Sequence, residues 1–294
     1  MPSLRRDQAD GLRRLLDRDA LRVVNISAGA GTGTGTVINL AGALAEIGRD
    51  VLILDDRPGE QGVAAALGLA PRFDLEDVIR RKRDLDEVIV RGPAGLRILP
   101  IARGARALAQ LHAAEQQRLA ERCGRLGFPV DTLLIDSAPG GARALLTPGM
   151  AAQELIVLAG GGAMAVTAAY ALIKRRAGEF GRREFHVLVG EVADEAEARD
   201  IFGNIARVAR RYLQVSLVFI GHISADDKLQ QAARLRLPLA AAFPGAPAAA
   251  GFRRLAHAVA RWPHAGEEGS GFDDFMRGLI QSSRVRTPAA ATSP

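Results

Sequence analysis

Seven apolar runs of five or six residues recur along the chain, separated mostly by stretches with helical periodicity. They are Arg22–Ser27, Asp50–Asp55, Leu96–Pro100, Thr132–Asp136, Glu154–Ala159, Phe185–Gly190 and Ser216–Ile220. Runs this short and this apolar suit strands buried on both faces, and helices between them supply the covering layers. The helical stretches are Thr36–Gly48, Ala105–Arg125, Ala163–Gly178, Asp194–Tyr212 and Asp226–Leu235. The pattern predicts a three-layer α/β fold, with a mostly parallel twisted sheet of seven or eight strands and helices on both faces. A 294-residue chain is long enough for one such domain plus short appendages. Residues 1–20 read as an N-terminal helix, 21–262 as the α/β domain, and 263–294 as a linker, a short helix and a disordered tail.

Hydrophobic residues make up 48% of the chain but aromatics only 4%, so Ala, Leu, Val and Ile must fill the core. No run reaches the roughly 18 apolar residues of a membrane span. The charged stretch from Met1 to Asp19 does not read as a signal peptide. One cysteine, Cys123, cannot staple the fold internally and fits a reducing cytoplasm. The net charge of +6 is carried almost entirely by arginine, since only Lys82, Lys174 and Lys228 are lysines. These basic runs read as solvated faces rather than a nucleic-acid surface.

The first strand runs directly into Ala28-Gly29-Ala30-Gly31-Thr32-Gly33-Thr34-Gly35-Thr36 and then a helix. Backbone N–H groups at a helix start, with glycines that let an anion approach, make a phosphate cradle. Gly29, Gly31, Gly33, Thr34, Gly35 and Thr36 are therefore the candidate nucleotide contacts. A dinucleotide fingerprint fits poorly, because Thr34 or Thr36 stands where its third glycine belongs. A P-loop requires lysine before the Ser or Thr of the helix start. That position is Gly33 or Gly35, depending on register, and the first lysine of the chain is Lys82.

Other segments carry a family resemblance. Asp7-Gln8-Ala9 through Leu12 and Arg13 resembles the DQAxxLR motif of the FlhG family, also called FleN. These are MinD/ParA-type P-loop ATPases that set flagellar number and placement. Asn39-Leu40-Ala41, Gly48–Leu52, Gly92–Pro100, Asp131–Asp136 and Ala169–Lys174 resemble the same family. The resemblance implies a MinD-like fold with ATP and magnesium as cofactors, and Asp55 and Asp136 as candidate magnesium ligands. It also implies four departures. Both loop lysines are missing, at Ala30 and Gly35 in one register or Ala28 and Gly33 in the other. Arg57 replaces the acid that positions the attacking water. Gly190 replaces an adenine-contacting asparagine, and Ala168 an aspartate after the fifth strand. Impaired ATP hydrolysis is therefore expected, with a homodimer only when ATP binds.

The same resemblance implies partners. Asp7, Gln8, Ala9, Leu12 and Arg13 would meet the flagellar GTPase FlhF. A flagellar transcriptional activator or a basal-body component is a further expected partner, and DNA is not. The alternative function is a working MinD/ParA-type ATPase with an unorthodox loop, cycling between cytoplasm and membrane. Phe272, Phe275, Met276, Leu279 and Ile280 form an apolar stripe at helical spacing. The resemblance implies a membrane-targeting helix there; docking on its own domain is the competing reading. The expected location is cytoplasmic, with peripheral contact at the inner face of the plasma membrane.

Overall fold

The computed structural model describes residues 21–28, 33–108, 110–123, 126–136, 154–262 and 271–282. The Asp7–Arg13 motif, Gly29 and Gly31 lie outside the described residues.

Eight strands form one sheet: β1 (Arg22–Ala28), β2 (Val51–Asp55), β3 (Val90–Arg91), β4 (Arg97–Pro100), β5 (Thr132–Asp136), β6 (Glu154–Gly160), β7 (Glu184–Val192) and β8 (Ser216–Ser224). Their order is β3-β4-β2-β5-β1-β6-β7-β8. Every neighbouring pair is parallel except the two-residue edge strand β3, which runs antiparallel to β4. The expected seven strands are all present, and β3 is the eighth.

The central strands are buried on both faces, and alternate residues feed different cores. Val24 and Ile26 of β1, Val51 and Ile53 of β2 and Leu134 of β5 share one cluster with α1 (Gly33–Glu46). Leu52, Leu54, Leu133 and Ile135 point the other way, into a second cluster. A third lies between β6–β7 and the helices α7 (Ala163–Phe180) and α8 (Glu195–Leu213). This period of two inside fully apolar strands is what a covered parallel sheet requires.

Between β2 and β5 lie the short helices α2 (Val63–Ala66), α3 (Leu75–Ile79), α4 (Leu85–Val88), α5 (Gly104–Leu108) and the longer α6 (Ala113–Cys123). The expected single helix Ala105–Arg125 is thus two. The break has a local cause: the His112 N–H donates to Glu115 Oε2 at 2.9 Å, which starts a new helix.

After β8 come α9 (Asp227–Arg234), α10 (Leu239–Ala242) and α11 (Pro247–Val259). Helix α11 was not among the expected elements. Its start is set by Pro247 in the first turn, and Ala248, Phe252, Leu255 and Val259 bury one face against α1. Asn39 of α1 ties this layer down: its Oδ1 accepts the Leu239 N–H at 2.7 Å, capping α10. Gly42 permits the same approach, since a Cβ there would stand 2.6 Å from the Cβ of Pro238.

The last helix, α12 (Phe272–Ser282), packs against α6. Phe272, Met276, Leu279 and Ile280 are buried in the second core cluster, and Phe275 packs on its margin. In this structure the stripe is thus covered by its own domain, the competing one of the two expected readings. The apolar face is used inside the domain, while Asp273, Asp274 and Arg277 face water. Among the described residues no helix is long and apolar enough to cross a membrane.

Candidate functional site

The carboxyl ends of β1, β2 and β5 converge at the start of α1, where Ala28, Arg57 and Asp136 lie close to Gly33. A crevice at this point is the expected ligand position in an open parallel sheet. Asp55 ends β2 and Asp136 ends β5, and the two are direct neighbours in the strand register.

Three side chains meet there. Thr34 Oγ1 donates to Asp136 Oδ2 at 2.6 Å. Arg57 Nε donates to Asp136 Oδ1 at 2.9 Å. Both oxygens of a carboxylate with 0% side-chain exposure therefore have partners within the chain. The arginine is itself buried, at 7%. A charge-assisted bond in such surroundings is strong once made, and its loss would strand a buried charge.

Of the two candidate loop hydroxyls, Thr34 is buried and meets Asp136, whereas Thr36, two residues on and so on the opposite side of the helix, is half-buried. A Cβ on Gly33 would lie 3.3 Å from Arg57 Nη2 and 3.6 Å from Asp136 Oδ1. The guanidinium thus occupies the space beside Gly33.

Asp55 is held differently. Its Oδ1 accepts the N–H of Arg57 and its Oδ2 the N–H of Ala64, both at 3.2 Å. The segment between bends tightly around the carboxylate, and a Cβ on Gly62 would sit 2.6 Å from Asp55 Oδ2. Burial pushes the Asp55 carboxyl up to about 6 against the pull of those N–H bonds, and the charge of Asp136 adds to the rise. Asp56 is also buried, and its N–H bonds to the Asp136 carbonyl at 3.3 Å.

A cleft of about 590 Å³ opens from this cluster. Thr34, Gly35, Thr36, Arg57, Glu60 and Gln61 line it, and so do Gly190, Glu191 and Arg236. Leu158, Leu188, Ile223 and Phe252 give it apolar walls. It is large enough for a nucleotide-sized ligand. Gly190 borders it, and so do the described members of the glycine-rich loop except Gly33. Ala168 is not among its lining residues. Sequence reading took Arg57 as the loss of an acid and did not foresee its bond to Asp136. The one available signal was a cation in a segment otherwise reserved for acids.

The comparisons with known proteins agree with this architecture. No protein-family model matches the chain. It is 31% identical over 263 residues to the antiactivator FleN of Pseudomonas aeruginosa, covering 89% of this chain and 94% of that protein. The chain belongs to the FleN family. It is also 26% identical, over 79% of its length, to an uncharacterised ATP-binding protein of Methanocaldococcus jannaschii, of which 85% is covered. Among solved structures, the MinD cell division protein of Aquifex aeolicus matches with a TM-score of 0.58 at 21% identity, covering 81% of this chain and 95% of that one. MinD of Pyrococcus horikoshii, solved with Mg-ADP, matches with a TM-score of 0.56 at 19% identity, over 81% and 96% of the two chains. This FleN-family chain therefore has the MinD/ParA-type P-loop NTPase fold.

Proposed function

We propose that this chain regulates flagellar number, placement and biosynthesis by binding partners, with ATP hydrolysis impaired. The observation that carries the second half is Asp136, closed by Arg57 and Thr34 beside Gly33. Phosphoryl transfer needs positive charge on the transferring oxygens, a metal and a positioned water. Removing one preorganised group of this kind commonly costs about 10²–10³ in rate. Here the lysine is absent, Arg57 stands in place of the water-positioning acid, and the metal-binding acid is engaged.

Kinship with an antiactivator supports the first half, and makes a flagellar transcriptional activator a fitting partner. The Asp7, Gln8, Ala9, Leu12 and Arg13 motif is the candidate contact for the flagellar GTPase FlhF. A chain that hydrolyses ATP poorly would present these surfaces continuously rather than in cycles, and would dimerise only where ATP is held.

Two measurements test the proposal. Deleting the gene should change flagellar number per cell, and a Thr34→Val allele, which removes the loop hydroxyl but keeps the buried Arg57–Asp136 pair, should restore it. Phosphate release from ATP with magnesium should stay at the buffer rate for the purified protein. Release that disappears in Thr34→Val, together with failure of that folded variant to complement, would support the working-ATPase alternative instead. That alternative draws on the ATP-binding relative.

A further inference from the structure

The fold family implies a divalent cation between the loop hydroxyl and the acid that ends β5. The residues here do not fit one. A magnesium ion needs oxygen ligands at about 2.0–2.1 Å in a near-octahedral shell. Thr34 Oγ1 donates to Asp136 Oδ2 at 2.6 Å, so that oxygen already spends one of its acceptor positions within the chain. The other Asp136 oxygen carries Arg57 Nε at 2.9 Å. A second positive centre next to a buried guanidinium would be repelled by it. Asp55, the other candidate ligand, is wrapped by the N–H groups of Arg57 and Ala64, with no room for a Cβ at Gly62. Among the described residues, no three His, Cys, Asp or Glu side chains gather as a metal-holding group.

We propose that Arg57 is a covalently tethered replacement for that divalent cation, and that it fixes residues 56–64 in one arrangement irrespective of magnesium and nucleoside triphosphate. The substitution is a paired one. Glycine at 33 removes the side chain that would crowd Nη2, and arginine at 57 returns a positive charge to the same place. The segment is stitched at several points. The Arg57 side chain holds Asp136, its N–H holds Asp55, and the Ala64 N–H holds the other Asp55 oxygen. The Gln61 carbonyl lies 3.3 Å from Thr34 Oγ1. A metal that reports a bound phosphate to such a segment would have nothing left to organise. This rests on the cleft being the family's nucleotide site, as proposed above.

The test uses the full-length protein and hydrogen exchange of peptides spanning residues 55–66, with and without ATP and either magnesium or manganese. In the wild type, exchange there should not change on adding metal. Arg57→Gln keeps an N–H donor for Asp136 but no charge, and should become metal-responsive, with slower exchange only when manganese is present. Arg57→Lys keeps the charge and should stay unresponsive. Thermal melts give a second readout. A ligand at about a hundred times its Kd raises the folded-to-unfolded ratio about a hundredfold. Manganese should do this for Arg57→Gln and not for the wild type.

Metal-dependent protection in the wild type, lost in Asp136→Asn, overturns the inference. A metal response without phosphate release overturns it while leaving impaired hydrolysis intact. Phosphate release with no metal response does the reverse. Where Arg57→Gln fails to fold by circular dichroism, the wild-type measurement decides alone.

Discussion

Leu279→Ala should cost the protein a large part of its stability. The side chain is fully buried at the centre of the α12 stripe, with Met276 one turn earlier and Ile280 beside it. Truncating a fully buried leucine costs about 2–5 kcal/mol, depending on how far the site collapses. The helix as a whole buries Phe272, Met276, Leu279 and Ile280. At about 1.5–3 kcal/mol each their contribution is roughly 6–12 kcal/mol, an upper figure because unfolded chains already bury some surface. That is comparable with the entire stability of an ordinary domain, about 5–15 kcal/mol. Urea titration followed by far-UV circular dichroism is the assay. With a slope near 3 kcal/mol per molar, the midpoint should fall by roughly 1 M for Leu279→Ala. Vesicles of anionic lipid should pellet wild type and variant equally poorly. An unchanged midpoint, with wild type pelleted and the variant left in solution, would refute the reasoning. It would mean the stripe works against lipid rather than against α6.

The pH dependence has a definite sign. The folded state holds the Asp55 proton up to about pH 6, while the unfolded chain releases it near 3.8. The folded state binds more protons in that window, so stability falls as pH rises through it, by up to about 3 kcal/mol. Asp55→Asn should remove this slope in urea titrations run from pH 4 to 7. Glu154 acts oppositely, because the His186 ring nitrogen 3.0 Å from its Oε2 lowers its carboxyl; its contribution is lost as pH falls through the lowered value. Asn39→Ala should cost about 1–2 kcal/mol by leaving the Leu239 N–H without its cap, read as a lower melting temperature. Gly42→Ala should destabilise as well, since Pro238 must move; a melting temperature at or above wild type would contradict the packing at that crossing.

The sheet was legible in the sequence because its strands are apolar on both faces, which no surface segment of this chain matches. Helix α11 was harder to read. Three of its seven buried residues, Ala248, Ala249 and Ala256, are alanines that give little contrast with those of α10 just before it. The α12 stripe was read correctly as a stripe, but periodicity reports an apolar face and not what covers it. The loop posed a different difficulty. Its Gly-Thr repeat leaves Thr34 and Thr36 as alternative candidates, and only the approach of Asp136, about a hundred residues away in sequence, shows that Thr34 is the one that meets the acid. Arg57 illustrates the same limit. Sequence comparison sees a missing acid, whereas the fold shows a cation delivered onto β5 from the end of β2.

The strand order has a consequence for how this protein is made. The first strand among the described residues, β1, is an interior one, flanked by β5 and β6. Neither neighbour exists until more than a hundred residues after Ala28 have been synthesised. At about 5–20 residues per second, the ribosome exposes the apolar β1 without a sheet partner for roughly 5–20 s. Among the described residues made early in that interval, α1 packs against β1, and its buried face includes Val37, Leu40, Ala41 and Leu44. Substitutions that weaken α1 should therefore lower soluble yield during synthesis by more than their effect on the finished protein's stability would suggest.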